Sequence, residues 1–241
     1  MMNIAIYDPS LEDGQALEAL VRQMMEGKAE GPAEADTFTS LEKMLDSMYT
    51  CQRVFDIVFL STDGTADNMT ELSQKVREYN RFCPIIFIGP QDISNLELMD
   101  IPGAAFIKKP LSEAVVEPAL DKALAGYDPE KARHVLIRTA RKTYDLLLDN
   151  LLYLSSCRRI VTLYTRQGFT FSCYTKLGDL EALISDRRFL RCHQSYLANM
   201  DYITNIVGHT FIMEGGAEVK IRQSGISKIK ERYFAWALGR Y

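Results

Sequence analysis

Two short, nearly unbroken apolar runs, Phe55-Asp-Ile-Val-Phe-Leu60 and Pro84-Ile-Ile-Phe-Ile88, do most to limit what this chain can fold into. A strand with one wet face alternates polar and apolar residues. A strand without alternation must be covered on both faces, as inside a parallel sheet. Neighbouring segments supply that cover. Ile4-Ala-Ile-Tyr7 reads as a first strand, Asp36-Thr-Phe38 as a second and Ala104-Ala-Phe-Ile107 as a fifth. Ser10 to Met25 sets Leu11, Leu17, Leu20, Val21 and Met24 at helical spacing. Ser40 precedes a similar run through Leu41, Met44, Leu45 and Met48, and Thr70 to Tyr79 is a third. Ser112 is expected to cap a last helix reaching Ala125, with Pro118 as an irregularity. Strands alternating with helices at this spacing predict a doubly wound α/β domain over residues 1–125, with its site at the carboxyl ends of the strands.

The pattern then changes. Gly126-Tyr-Asp-Pro129-Glu-Lys-Ala-Arg133 combines chain breakers with charge and reads as a linker, 126–133. Beyond it, residues 134–241 carry short alternating or β-branched segments. These are Val135–Thr139, Tyr144–Leu148, Leu151–Leu154, Ile160–Tyr164, Phe169–Tyr174, Phe189–Arg191, Ile203–Val207, His209–Met213 and Glu218–Ile221. Gln167-Gly168 and Gly215-Gly216 mark hairpins, and Leu177–Ile184 and Ser227–Ala237 read as helices. This half is predicted to be mainly β. Charge divides at the same place: residues 1–125 hold 10 Lys/Arg against 21 Asp/Glu, and residues 126–241 hold 18 against 11. A basic half joined to an acidic one suggests that the second half meets a polyanion.

One stretch of the basic half carries chemistry. In Arg188-Phe-Leu-Arg191-Cys-His193-Gln-Ser195-Tyr-Leu-Ala-Asn-Met-Asp-Tyr-Ile203, two apolar runs flank the polar insert Cys192–Ser195, with Arg187, Arg188 and Arg191 around it. A basic edge rich in hydrogen-bonding groups suits the reading of base edges in DNA. The stretch resembles the signature of the LytTR DNA-binding domain, F-x-R-x-H-[RNQ]-S-[YF]-[IL]-V-N-x-x-x-I. Leu148-Asp-Asn-Leu-Leu-Tyr-Leu154 resembles that family's L-x-D-I-x-Y-I-E, and the likeness runs over about 134–238. The resemblance implies a mainly β domain whose loops enter successive major grooves of a short direct repeat. Carried over by residue, it implies three contact regions: Ser155–Arg159 with Arg158 and Arg159, then His193, Gln194 and Ser195, then Arg222, Gln223 and Ser224. Gln194 has the amide geometry for a bidentate contact with adenine, while His193 is expected to anchor its loop together with Ser195. Many family members place an arginine near position 223 or 224, whereas here the charge sits at Arg222. Arg141, Lys142, Arg187, Arg188, Lys220 and Lys228 are candidate phosphate contacts.

The first half, across residues 2–125, resembles a response-regulator receiver domain of flavodoxin-like fold, and the resemblance exposes departures. A working receiver holds an acidic pair after its first strand, an aspartate after the third, a hydroxyl after the fourth and a lysine after the fifth. Here Asp8 is followed by Pro9 and Ser10, Ser61 stands at the aspartate position and Gly89 at the hydroxyl position, while Lys109-Pro110 is retained. A serine is a poor nucleophile without a base and brings no charge to a Mg²⁺ site, so Mg²⁺ binding and conventional phosphorylation are not expected. Asp63 is the alternative acceptor, or simply a turn residue before Gly64; Lys109 is expected to pair with Asp8 or to cap a strand end.

Other classes find little footing. Five cysteines (51, 83, 157, 173 and 192) without paired spacing favour thiols in a reducing compartment over a disulfide framework or a zinc site. No run approaches a membrane span, and Met1–Ile6 reads as a strand rather than an export signal. No Ser/His/Asp arrangement, metal cluster or phosphate-binding glycine loop suggests an enzyme. The expectation is a cytoplasmic regulator that binds double-stranded DNA as a homodimer without a cofactor. Its receiver-like half would be a docking or dimerisation module, open to a signalling protein or a small effector. The alternatives are a phosphorylation-competent regulator using Asp63 and a protein-binding adaptor without DNA function.

Overall fold

The computed structural model describes residues 1–50, 53–63, 68–90, 101–139 and 142–239. The chain forms two compact units, Met1–Arg133 and His134–Tyr241.

The first unit is a five-stranded parallel sheet in the order β2-β1-β3-β4-β5. Its strands are β1 (Met2–Tyr7), β2 (Ala33–Phe38), β3 (Ile57–Ser61), β4 (Ile85–Gly89) and β5 (Ala104–Lys108). Every residue of β3 and β4 is buried, which is why their sequences carry no alternation. The helices are α1 (Leu11–Glu26), α2 (Leu41–Tyr49), α3 (Met69–Tyr79) and α4 (Glu113–Gly126). Ser10 and Ser40 accept from the backbone N–H of Asp13 and Lys43 and so cap α1 and α2. Asn68 and Glu71 close a capping box on α3. Ser112 stands at the cap position of α4 without a side-chain bond to the helix, contrary to expectation, and Pro118 lies inside α4 without ending it. Ile4, Ile6, Phe59, Ile86 and Ile88 form the core against Leu17, Val21, Val116 and Leu120 of α1 and α4. Tyr127 packs against this core and donates to Asp56 Oδ1 at 3.1 Å. The segment 126–133, read as a linker, ends at the boundary between the two units, with its Tyr127 seated on the first.

The second unit is mainly β. Its largest sheet is antiparallel in the order β10-β9-β8-β12-β11. It comprises β8 (Leu151–Cys157), β9 (Ile160–Thr165), β10 (Thr170–Tyr174), β11 (Phe189–His193) and β12 (Tyr196–Asn199). A three-stranded sheet holds β13 (Ile203–Val207), β14 (Thr210–Met213) and β15 (Glu218–Lys220), and a hairpin holds β6 (His134–Arg138) and β7 (Thr143–Leu147). Helix α5 (Leu177–Ile184) and helix α6 (Ile226–Ala237) complete the unit. Leu190, Cys192, Ala198, Phe211, Met213, Val219 and Ile229 share one core, which ties β11 to the three-stranded sheet and to α6. Asn199, fully buried, donates from Nδ2 to Leu151 O at 2.9 Å and accepts from Asp201 N–H at 3.2 Å, fixing the turn after β12.

Candidate nucleic-acid interface and the strand-end pocket

β8 runs three residues further than its sequence pattern suggests, so Ser155, Ser156 and Cys157 are strand residues. Cys157 pairs with Ile160, which leaves Arg158 and Arg159 as the whole turn. A two-residue hairpin of type I′ requires positive φ at both central positions, and Asn-Gly is its usual solution. Here the two arginines adopt φ of 56° and 128°. Bulky residues in that region cost on the order of 1–3 kcal/mol each, and such strain collects at functional sites. Both side chains are exposed, and Arg159 Nη1 lies 3.4 Å from the hydroxyl of Tyr174, itself 75% exposed.

The second region is the turn between β11 and β12. Cys192, grouped in sequence with the polar insert, lies instead in the core, where burial pushes its thiol pKa up to about 12. The turn proper is His193–Ser195. His193 Nδ1 accepts from Ser195 N–H at 3.1 Å, which pins the imidazole to its own loop, while Gln194 is exposed. Arg191 folds back over this turn. Its Nε donates to His193 O at 2.9 Å, its Nη2 to Gln194 O at 2.7 Å and its Nη1 to Glu181 of α5 at 2.9 Å.

The third region, Arg222–Ser224, follows β15 and is exposed throughout. Backbone hydrogen bonds join the three regions. Ser156 N–H donates to Ser195 O at 2.8 Å, and Arg222 N–H donates to Cys192 O at 2.9 Å. One end of the second unit thus gathers arginines, a glutamine amide and hydroxyls, the groups suited to phosphate and base edges.

The candidate phosphate contacts separate. Lys142, Arg187, Lys220 and Lys228 are exposed, and Arg141 lies outside the described residues. Arg188 is a correction. It is buried, with a bidentate grip on Asp186 at 2.9–3.2 Å and Asp149 at 3.6 Å. Burial lowers its pKa, but the bonds to Asp186 and the nearby Asp149 and Asp201 carboxylates more than reverse this, so it stays charged inside the fold. Its charge suggests a surface place; Asp186, two residues before it, is a local partner, whereas Asp149 comes from a distant part of the chain.

The strand-end pocket of the first unit centres on Lys109 Nζ, 3.0 Å from Asp8, 2.8 Å from Asp13 and 2.9 Å from Asp63. The second acid missing after Asp8 therefore arrives from the first turn of α1. Sequence reasoning missed Asp13; the signal was its place three residues after the capping Ser10, on a helix that starts at the strand ends. Burial pulls the Lys109 pKa down, and the bonds to Asp13, Asp63 and Asp8 outweigh it, so the net shift is upward. Ser61 is buried and accepts from Asp63 N–H at 3.3 Å. At Gly89 a Cβ would stand 2.6 Å from Thr62 Oγ1, so Thr62 fills the space a fourth-strand hydroxyl would need. Among the described residues no three His, Cys, Asp or Glu side chains are arranged to hold a metal ion. The three acids of the pocket face the Lys109 ammonium instead. Beside it, Asp13, Leu17, Leu20, Lys109 and Leu111 help line a cavity of about 260 Å³. Cys83 and Cys173 are buried and Cys157 is exposed; Cys51 lies outside the described residues. Among the described residues no helix is long and apolar enough to cross a membrane.

Residues 141–233 match the family model for the LytTr DNA-binding domain. The sensory transduction protein LytT of Bacillus cereus is 22% identical over 250 aligned residues, covering 96% of this chain and 98% of that protein. The transcriptional regulatory protein LytR of Staphylococcus aureus is 20% identical, covering 83% of this chain and 88% of its own length. Among solved structures, the chemotaxis protein CheY4 of Vibrio cholerae is similar to 51% of this chain and 98% of its own, with 16% identity and a TM-score of 0.43. Residues 141–233 are thus similar to the LytTr DNA-binding domain, and over most of its length the chain is similar to the LytT and LytR regulators.

Proposed function

We propose that this protein is a cytoplasmic transcription regulator that binds direct-repeat promoter DNA as a homodimer, with an output not gated by conventional aspartyl phosphorylation. The observation that carries the reading is the strained turn. Two arginines hold left-handed backbone beside the exposed Gln194 turn and the Arg222–Ser224 loop, a conformation that packing alone does not reward. Arg158 and Arg159 would read guanine or hold phosphate, Gln194 would read adenine and Arg222 would serve as either. Lys142, Arg187, Lys220 and Lys228 would neutralise the flanking backbone. A genome-wide DNA-binding selection with the purified full chain tests this. The expected result is a short motif repeated in the same orientation. Recovery of no enriched sequence would contradict the reading and favour a protein-binding adaptor.

The receiver-like unit supports the second part through Ser61 and Gly89: a buried hydroxyl stands where a carboxylate acceptor belongs, and Thr62 occupies the hydroxyl's place. A small effector in the cavity beside Lys109, or a signalling protein on this unit, would then supply the input. One observation favours a second reading. Asp63 reaches Lys109 at 2.9 Å, so a carboxylate displaced by two positions does enter the pocket. Incubation with acetyl phosphate and Mg²⁺ followed by intact mass measurement separates the two. A phosphoryl adduct that disappears in Asp63→Asn would establish the second reading, and an unmodified mass supports the first.

A further inference from the structure

Arg191 is the basic residue closest to the Gln194 turn in sequence, and its charge invites assignment as a DNA contact. Its geometry says otherwise. Each of the three guanidinium nitrogens is already engaged: Nε with His193 O at 2.9 Å, Nη2 with Gln194 O at 2.7 Å and Nη1 with Glu181 Oε2 at 2.9 Å. Two of these acceptors are consecutive main-chain carbonyls of the turn itself. The third belongs to α5, a separate element. The planar fork of arginine matches such a set of acceptors, whereas a lysine ammonium on a flexible stem does not hold the same orientation. The turn also needs outside support. The β11–β12 register breaks between Leu190 and His193, so the ladder does not fix the backbone where Gln194 leaves it. Within the turn, His193 Nδ1 accepts from Ser195 N–H at 3.1 Å.

We propose that Arg191 is a positioning residue for sequence readout, clamping the Gln194 turn to α5 through Glu181 rather than contacting DNA. The inference rests on the DNA-binding reading above. A positioning residue and a phosphate contact leave different marks. Losing a phosphate contact weakens binding to all sequences and lowers the slope of log K against log salt by about one. Losing a clamp misdirects Gln194, so the preference for the operator falls while nonspecific binding and the slope stay as they were.

The experiment is a salt series of full-chain binding to the selected operator and to a scrambled duplex of equal length, for wild type, Arg191→Lys and Glu181→Ala. Lysine keeps the charge and removes the fork. Glu181→Ala touches neither turn nor DNA but frees the far end of the clamp. The expected result for Arg191→Lys is at least ~10-fold weaker operator binding, with scrambled-duplex affinity within about twofold of wild type and an unchanged slope. Glu181→Ala should lose operator preference in the same direction by a smaller factor. Operator binding by Arg191→Lys equal to wild type, or a loss shared equally by both duplexes with a reduced slope, would overturn the proposal. Should Arg191→Lys fail to fold, Glu181→Ala decides alone, and unchanged preference there overturns it. A wild-type protein that prefers no sequence overturns the DNA-binding reading and this inference together, which distinguishes that failure from a failure of the clamp.

Discussion

Arg158 and Arg159 occupy backbone that asparagine and glycine would hold without strain, with φ of 56° and 128°. Replacing them as Arg158→Asn with Arg159→Gly should raise stability by about 1–3 kcal/mol, measured by denaturant unfolding, while operator binding weakens at least ~10-fold. A variant no more stable than wild type would show that this turn stores no strain. Lys109 makes the opposite case, a residue whose value is stability. Its ammonium answers three carboxylates, one of them, Asp8, with a buried side chain. Lys109→Met should cost about 1–3 kcal/mol, less than for a fully buried pair because Asp13 and Asp63 are partly exposed. The pH dependence follows from the upward shift of Lys109. A raised pKa in the folded state means the contribution is complete below the ordinary lysine value of about 10.4 and fades as pH climbs through the higher folded value. Unfolding titrations should therefore show wild type and Lys109→Met differing at neutral pH and converging in strong alkali.

Elements explain what could and could not be read in advance. Strands β3 and β4 and helices α1 to α3 were legible because burial on two faces, or on one face of a helix, leaves a periodic trace. The hairpin at Gly168 was legible because glycine supplies its φ of 82°. The turn at Arg158 was read too long, since Ser155-Ser-Cys looks like a loop by composition and is held in β8 only by pairing with β9 and β12. Pairings between distant parts of the chain leave weaker signs: Asp13 meets Lys109 from far along the sequence, and Asp149 reaches Arg188 in the same way. Arg188 links the loop before β11, which also holds Asp186, to Asp149, and the side chains of both acids are buried. Arg188→Met should lower stability by about 3–5 kcal/mol by stranding those carboxylates, with no change in the salt slope of the folded fraction. A lowered slope would return Arg188 to the DNA surface. At the ends of β3 and β4, Gly89→Ser would restore the hydroxyl of a working receiver in composition only. Its Cβ would meet Thr62 Oγ1 at 2.6 Å and the Phe106 ring at 3.3 Å, so a loss of about 1–3 kcal/mol is expected in thermal or denaturant unfolding.

Across the whole molecule, charge and chemistry divide along the same boundary. The acidic first unit turns three of its carboxylates inward on Lys109, and the basic second unit turns arginines outward at one end. Input and output pose separate questions in this chain: Ser61 lies buried at the strand end where a phosphoryl switch needs an aspartate, while the loops that would face DNA are held by backbone bonds and by strain. The reading that the Arg158–Arg159 turn meets DNA is tested most directly by titrating the selected operator with full-chain wild type and the Arg158→Ala/Arg159→Ala variant across a salt series. Binding by the variant should be at least ~10-fold weaker, on the order of 1–3 kcal/mol for lost groove contacts, with a shallower dependence on salt. Equal affinity and equal slope for the two proteins would remove this turn from the interface and contradict the assignment.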